Sequence, residues 1–317
     1  MGKFRLALLV VACCGLCQPA LGQSAKALVR SALDLDAGAY PESGPDPLTP
    51  PPVNAPPLLA PGAAAPLPEA GPAREADPIV LALRQRLANV PTARDGGEQA
   101  DYAALKAFYA QWAGPLWLAN GVLTPRAEQA ILEINQADSW GLKASAFDLP
   151  KLGAPATDVE ALAEAELKLS FAVLKYARAA RGGRLDPAAV SRKFDQKPPV
   201  YDPGSLLLAV AERADIAAYL RQLHPRHEQF ARLRQALLAA RAAPPDAGTA
   251  STVRRLIANL ERWRWMPDDL GDFYVWDSVP EQMTRVIDRG EVTLSEKIVV
   301  GKPSTPTPIF SANMQFV

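Results

Sequence analysis

Apolar side chains recur at helical spacing through the middle of this chain and change to a strand-like pattern near its end. Leu105, Phe108, Tyr109 and Trp112 follow the i, i+3, i+4, i+7 rule of a one-sided helix. Thr124 is a good N-cap with Pro125 at the first helical position, and Ala127, Ala130, Ile131 and Ile134 then share one face. A longer helix is predicted from near Asp158 through Leu162, Leu169, Val173 and Tyr176. It closes with Arg178 and Arg181 in its last turn and Gly182-Gly183 beyond, a charge and glycine placement suited to a helix C-terminus. Asp186-Pro187 and Asp202-Pro203 repeat the cap-then-proline start. His224-Pro225 is read as opening a further helix that carries Phe230, Leu233, Leu237 and Leu238.

A breaker-rich link, Ala242 to Gly248, separates this helical stretch from the C-terminal part of the chain. Thr252 is expected to cap a helix with Val253, Leu256, Ile257, Leu260 and Trp263 inward, stopped by Met266-Pro267. The period then changes. Phe273 to Trp276 reads as a short strand, and Thr284 to Ile287 with Val292 to Val300 as a hairpin turned by Asp288-Arg289-Gly290-Glu291. A few antiparallel strands are marginal without a larger sheet or a covering helix. The fold class expected is therefore mainly α: a helical domain at 79–241, a link at 242–252, and at 253–317 a connecting helix with the first strands and hairpin of a β-rich domain, expected to be incomplete.

The N-terminus has a different pattern. Lys3 and Arg5 precede an apolar run from Leu6 to Leu16, and Ala20-Leu21-Gly22 offers small residues at the positions a signal peptidase reads. Residues 1–22 are read as a cleavable signal peptide, which places the mature chain in the periplasm. The run is shorter than the roughly 20 residues that span a bilayer, and no later stretch reaches that length. A buried N-terminal helix is the structural alternative. Val10-Val11-Ala12-Cys13 also resembles a lipoprotein cleavage box, but ordinary cleavage is preferred. Residues 23–78 form a linker, Pro/Ala/Gly-rich from Pro41 to about Pro78; proline removes donors and disfavours helix before it, so a disordered or polyproline tether is expected. Proline-rich ligand motifs for partner domains are the alternative use of such a stretch.

Composition narrows the chemistry. Hydrophobic residues make up 49% and charged residues 21%, near globular averages, and the formal net charge is +0. Removing Lys3 and Arg5 with the leader makes the chain slightly acidic, which argues against nucleic acid as a partner. All three cysteines (Cys13, Cys14, Cys17) lie in the leader, so the mature chain has neither a disulfide nor a thiol nucleophile. His224 and His227 are the only histidines. A metal site would need further ligands such as Glu228, and none is evident, so no metal or cofactor is expected. Trp263, Trp265 and Trp276 could stack on glycan rings, but aromatics at these spacings favour a core. Arg254, Arg255, Arg262 and Arg264 suggest a basic helix face, read as solvated or paired in salt bridges rather than as a ligand site.

Certain strings resemble a known family. Asn259-Leu260-Glu261-Arg262-Trp263-Arg264-Trp265-Met266-Pro267, then Asp269-Leu270-Gly271-Asp272, is similar to the approach to the catalytic domain of large bacterial murein L,D-transpeptidases. Val299-Val300-Gly301-Lys302-Pro303 and Thr307-Pro308-Ile309-Phe310-Ser311 resemble the next signature of that family. Pro115-Leu116-Trp117-Leu118, Asn120-Gly121, Leu123-Thr124, Tyr176-Ala177-Arg178 and Gly183-Arg184-Leu185-Asp186-Pro187 resemble its helical scaffold domain. The resemblance covers roughly Ala100 to Val317.

The resemblance implies an enzyme that cross-links peptidoglycan. A cysteine thiolate activated by a histidine attacks an L,D peptide bond of a donor stem, and an acceptor amine resolves the acyl-enzyme. The family's Ser/Thr-His-Gly-Cys motif has no counterpart here: no cysteine follows Cys17 and no histidine follows His227. No catalytic residue is assigned, and the chain as given is expected to be inactive. A peptidoglycan-binding module, often present in the family, has no room between Leu238 and Thr252. The expectation is the scaffold part of a periplasmic L,D-transpeptidase, with peptidoglycan stem peptides and glycan strands, and cell-wall synthesis proteins, as partners. The alternative is a non-catalytic peptidoglycan- or partner-binding protein of the cell envelope.

Overall fold

The computed structural model describes residues 4–9, 76–89, 95–151, 155–244 and 247–314. The expected cleavage site at 20–23, the three cysteines and nearly all of the 23–78 linker lie outside them. Along the chain come β1 (Phe4–Leu9), α1 (Pro78–Ala88), α2 (Gly96–Gln111), β2 (Leu118–Ala119), β3 (Val122–Leu123), α3 (Pro125–Asn135) and α4 (Val159–Gly182). There follow α5 (Pro187–Val190), α6 (Pro203–Glu212), α7 (Ile216–Gln222), α8 (Glu228–Ala242) and α9 (Ala247–Arg264). The last elements are β4 (Phe273–Ser278), β5 (Met283–Asp288), β6 (Glu291–Lys297) and β7 (Ser311–Met314). The described chain is mainly helical with two small sheets, as the residue pattern predicts.

The helix starts are chemically explicit. Asp77, Thr124, Asp186 and Asp202 each precede a proline and accept a hydrogen bond from a backbone N–H of the first turn, at Ile79, Ala127, Ala188 and Ser205 respectively. Proline has no N–H to orphan there, and its fixed φ suits the first turn. Asp95 and Asp215 cap α2 and α7 in the same way without proline.

Chain contacts group the residues into two compact units that follow packing rather than chain order. One takes in the described residues of 76–182 and 200–225. Its centre is α4, where Leu162, Leu169, Val173 and Tyr176 are buried, and α1, α2 and α3 pack around it. Leu105, Phe108 and Tyr109 supply the inner face of α2, and Ala127, Ala130 and Ile134 that of α3.

The other unit takes in the described residues of 4–9, 183–199 and 226–314. In it α8 packs against α9 with Phe230, Leu233, Leu237, Leu256, Leu260 and Trp263 buried. Its sheet has the order β6-β5-β4-β1-β7. The β4, β5 and β6 pairs are antiparallel, whereas β1 runs parallel to β4 and antiparallel to β7. The start of the apolar N-terminal run is thus a strand, not a helix.

Four boundaries differ from the pattern reading. Helix α8 begins after His227, three residues beyond His224-Pro225, because His224 is packed against the rings of Trp140 and Tyr176. Helix α9 begins at Ala247, so Thr252 lies inside it; the Thr249 hydroxyl donates to the Pro244 carbonyl at 3.2 Å and holds the link tight. The second hairpin strand ends at Lys297. Finally, Leu118 to Leu123 forms a small hairpin inside a region read as helical. Asn120-Gly121 between apolar pairs is itself the signal for a two-residue turn.

Candidate functional site

Three buried glutamates organise the segments that carry the family resemblance. Glu166 of α4 is fully buried and accepts from the backbone N–H groups of Leu116 and Trp117, at 2.5 and 3.1 Å. It also accepts from the Tyr109 hydroxyl at 2.6 Å. The Trp117 indole N–H can only donate, and it reaches Ser170 Oγ at 2.9 Å. Ser170 lies 2.9 Å from the Tyr109 oxygen, so its own proton points there and the Tyr109 proton goes to Glu166. The order of protons is indole to serine to phenol to carboxylate, and it clamps the Pro115–Leu118 string onto α4.

Burial pushes the Glu166 carboxyl up to about 7, while the bonds from Tyr109, Leu116 and Trp117 pull the other way. Burial, reinforced by the neighbouring carboxylate, also raises Tyr109 well above its usual value. A carboxyl displaced this far often marks a catalytic site. Here both oxygens are occupied by main-chain amides and a phenol, which is the pattern of a structural clamp.

Glu133 of α3 is the second. It accepts from Trp140 Nε1 at 3.0 Å, Arg221 Nη1 at 2.9 Å and the Tyr176 hydroxyl at 3.4 Å. The Tyr176 oxygen also lies 3.0 Å from His224 Nε2, and the His224 ring stacks on Trp140 at 4.0 Å with planes 11° apart. His224, at 4% exposure, is thus a packed core residue.

Glu261 of α9 is the third. The backbone N–H groups of Arg184 and Leu185 both donate to its Oε1, the latter at 3.0 Å. Two strings of the resemblance therefore meet here, Gly183–Pro187 and Asn259–Pro267. Gly183 has φ +84, and a Cβ there would lie 2.8 Å from Glu261 Oε1 and 3.0 Å from Trp265 Nε1. Glycine is required on both counts. Arg264 is also buried, 3.7 Å from Glu261 and with its guanidinium 5.1 Å from the Phe230 ring centre.

The remaining sequence candidates take structural places. Among the described residues no group of His, Cys, Asp and Glu could hold a metal ion. His227 Nε2 donates to the Pro267 carbonyl at 2.8 Å, and its ring lies 5.2 Å from Trp263. Glu228 pairs with Arg232 along α8. Trp263 and Trp265 are buried and Trp263 stacks on Trp276 at 5.7 Å, so these aromatics belong to a core. The arginines do not share one face: Arg254 is exposed, Arg255 and Arg262 are half-buried, and Arg264 is wholly buried. Arg262 Nη1 donates to Asn259 Oδ1 at 2.9 Å. No described helix is long and apolar enough to cross a membrane. Periodicity marked the helices but not the buried glutamates, most of whose partners lie far away in sequence.

Residues 103–237 match the family model of the Scaffold domain. This is the N-terminal domain of large L,D-transpeptidases, and the match supports the kinship drawn from the sequence strings. It runs from α2 into α8, so it includes Glu133 and Glu166, while Glu261 and the Asn259–Pro267 string lie beyond it. No curated protein and no solved structure matches the chain.

Proposed function

We propose that this chain is the scaffold part of a periplasmic L,D-transpeptidase that acts in peptidoglycan cross-linking. The Scaffold-domain match at 103–237 carries the reading. The clamps at Glu166 and Glu261 support it by holding the Pro115–Leu118 and Gly183–Pro187 strings, and Glu133 meets the hydroxyl of Tyr176 from a third. The scaffold's role is mechanical. In this reading it contributes to the surface on which glycan strands and stem peptides are held.

The chain has no cysteine beyond Cys17 to serve as the thiol nucleophile of that reaction. The expected result with a carbapenem is no covalent adduct by mass spectrometry, and an adduct on this chain would contradict that assignment. The wider reading is tested by sequencing the reading frame beyond codon 317. A frame that reaches a Ser/Thr-His-Gly-Cys motif supports the transpeptidase. A stop at that point, together with retention on purified sacculi, favours a non-catalytic wall-binding protein. Export is tested by fusing residues 1–22 to a reporter active only outside the cytoplasm; an inactive fusion counts against the periplasmic assignment.

A further inference from the structure

A cleft of about 390 Å³ opens on the unit built around α4, apart from the three glutamate clamps. Ala82, Gln85, Arg86 and Asn89 line one wall, spaced along a single face of α1. Tyr102 of α2 and Glu160 and Leu167 of α4 complete it. Tyr102 is half-buried and stacked on Phe171 with ring centres 4.7 Å apart, so its ring is held in one orientation. Arg86 is held too: Nε donates to Glu160 Oε2 and Nη2 to the Glu160 carbonyl, both at 3.2 Å. Asn89 Nδ2 donates to the Gln85 carbonyl at 3.1 Å.

The charges of this cleft are already matched. Arg86 pairs with Glu160 and Glu164, and Glu164 pairs in turn with Lys168, which also meets Asp148. Within the cleft itself Arg86 and Glu160 are the two charged side chains, and they are engaged with each other. The cleft offers an oriented aromatic ring and two aliphatic side chains beside a guanidinium, a carboxylate and two amides. That mixture suits a neutral ligand with an apolar face and a rim of hydroxyl and amide groups.

We infer that the cleft is a shallow binding site for a β-1,4-linked N-acetylhexosamine of a glycan strand. The sugar's C–H face lies against Tyr102 and Leu167, and its hydroxyl and acetamido groups meet Gln85, Arg86, Asn89 and Glu160. The amino-sugar identity and the β-1,4 linkage rest on the function proposed above; the cleft itself supports a neutral ligand with one apolar face and a polar rim. Such a site places the scaffold on the glycan strand rather than on the stem peptide.

The test uses the full chain, titrated with chitotetraose by calorimetry and saturation-transfer NMR. Saturable binding is expected, weakened about tenfold in Tyr102→Ala and in the exposed pair Gln85→Ala/Asn89→Ala. Melting temperature is followed for every variant, and the double variant carries the result if Tyr102→Ala unfolds. Absence of saturable binding, or binding unchanged in the double variant, overturns the inference. Equal binding of cellotetraose overturns the amino-sugar assignment. Pelleting with sacculi separates this site from the wider reading. Sacculus binding without chitotetraose binding refutes the cleft alone. Chitotetraose binding without sacculus binding supports the cleft and counts against the wall function.

Discussion

The Tyr109 hydroxyl donates to the Glu166 carboxylate at 2.6 Å, joining α2 to α4 across 57 residues of sequence. Ser170 and Trp117 stand behind that bond and order its protons, so a buried carboxyl becomes the fixed point of the Pro115–Leu118 segment.

That fixed point has a pH dependence. Glu166 titrates near 7 in the folded chain, above the usual value of 4.5 that it has when unfolded. The folded state therefore holds the proton more tightly. The contribution of Glu166 to stability is full below about pH 4.5, falls as pH rises between 4.5 and 7, and levels off above. The loss from this one group is on the order of 3 kcal/mol. Urea denaturation from pH 4.5 to 8 should show the fall, and Glu166→Gln should flatten it. An unchanged profile in that variant would place the pH dependence elsewhere.

Asp101 and Arg178 make a second prediction. Arg178 Nη2 donates to Asp101 Oδ2 at 2.8 Å, with the aspartate nearly buried and the arginine partly exposed. Burial raises the Asp101 carboxyl, and Arg178 opposes it. Arg178→Ala should cost roughly 2–4 kcal/mol by leaving a buried charge alone, more than Asp101→Asn. It should also push the Asp101 carboxyl higher and steepen the loss of stability toward neutral pH. Chemical denaturation of the two single variants and the double variant checks the order.

Gly183 is the third. With φ +84 and Glu261 Oε1 in the space of a Cβ, Gly183→Ala should destabilise by about 1–3 kcal/mol. Glu261→Ala removes the acceptor of the Arg184 and Leu185 amides and should cost a similar amount or more. Because both changes act on one contact, their costs should not add. Simple additivity in thermal melts would show that the contact is not shared.

The β5–β6 turn offers a stabilising change. Arg289 and Gly290 sit at φ 51 and 85, the positive pair that a two-residue hairpin turn of this kind needs. Asparagine tolerates that conformation better than arginine, so Arg289→Asn should gain about 0.5 kcal/mol. Gly290→Ala should lose about 1 kcal/mol. A melting-temperature comparison of the two variants settles the sign.

Much of the architecture was legible along the chain wherever a neighbour in sequence makes the decisive contact. Thr124-Pro125, Asp186-Pro187 and Asp202-Pro203 start helices because a cap side chain reaches an amide two or three residues on. Gly183 ends α4 and Arg289-Gly290 turns the hairpin because positive φ is a local property. The Asn120-Gly121 hairpin was equally local, but its two-residue strands were too short to interrupt the helical reading.

The sequence by itself therefore determined the helical class, most helix starts, the change to strands after Pro267 and the absence of a thiol beyond Cys17. Tertiary structure alone decided which charged residues go inside. Glu133, Glu166, Glu261 and Arg264 lie on helices where a polar residue reads as solvent-facing, yet all four are buried. Their burial is sustained by partners from distant segments, such as Leu116 and Trp117 for Glu166 or Arg184 and Leu185 for Glu261. The physical reason is the range of the interactions: caps and turns are satisfied within a few residues, whereas a buried carboxylate is tolerated only once folding brings its donors to it.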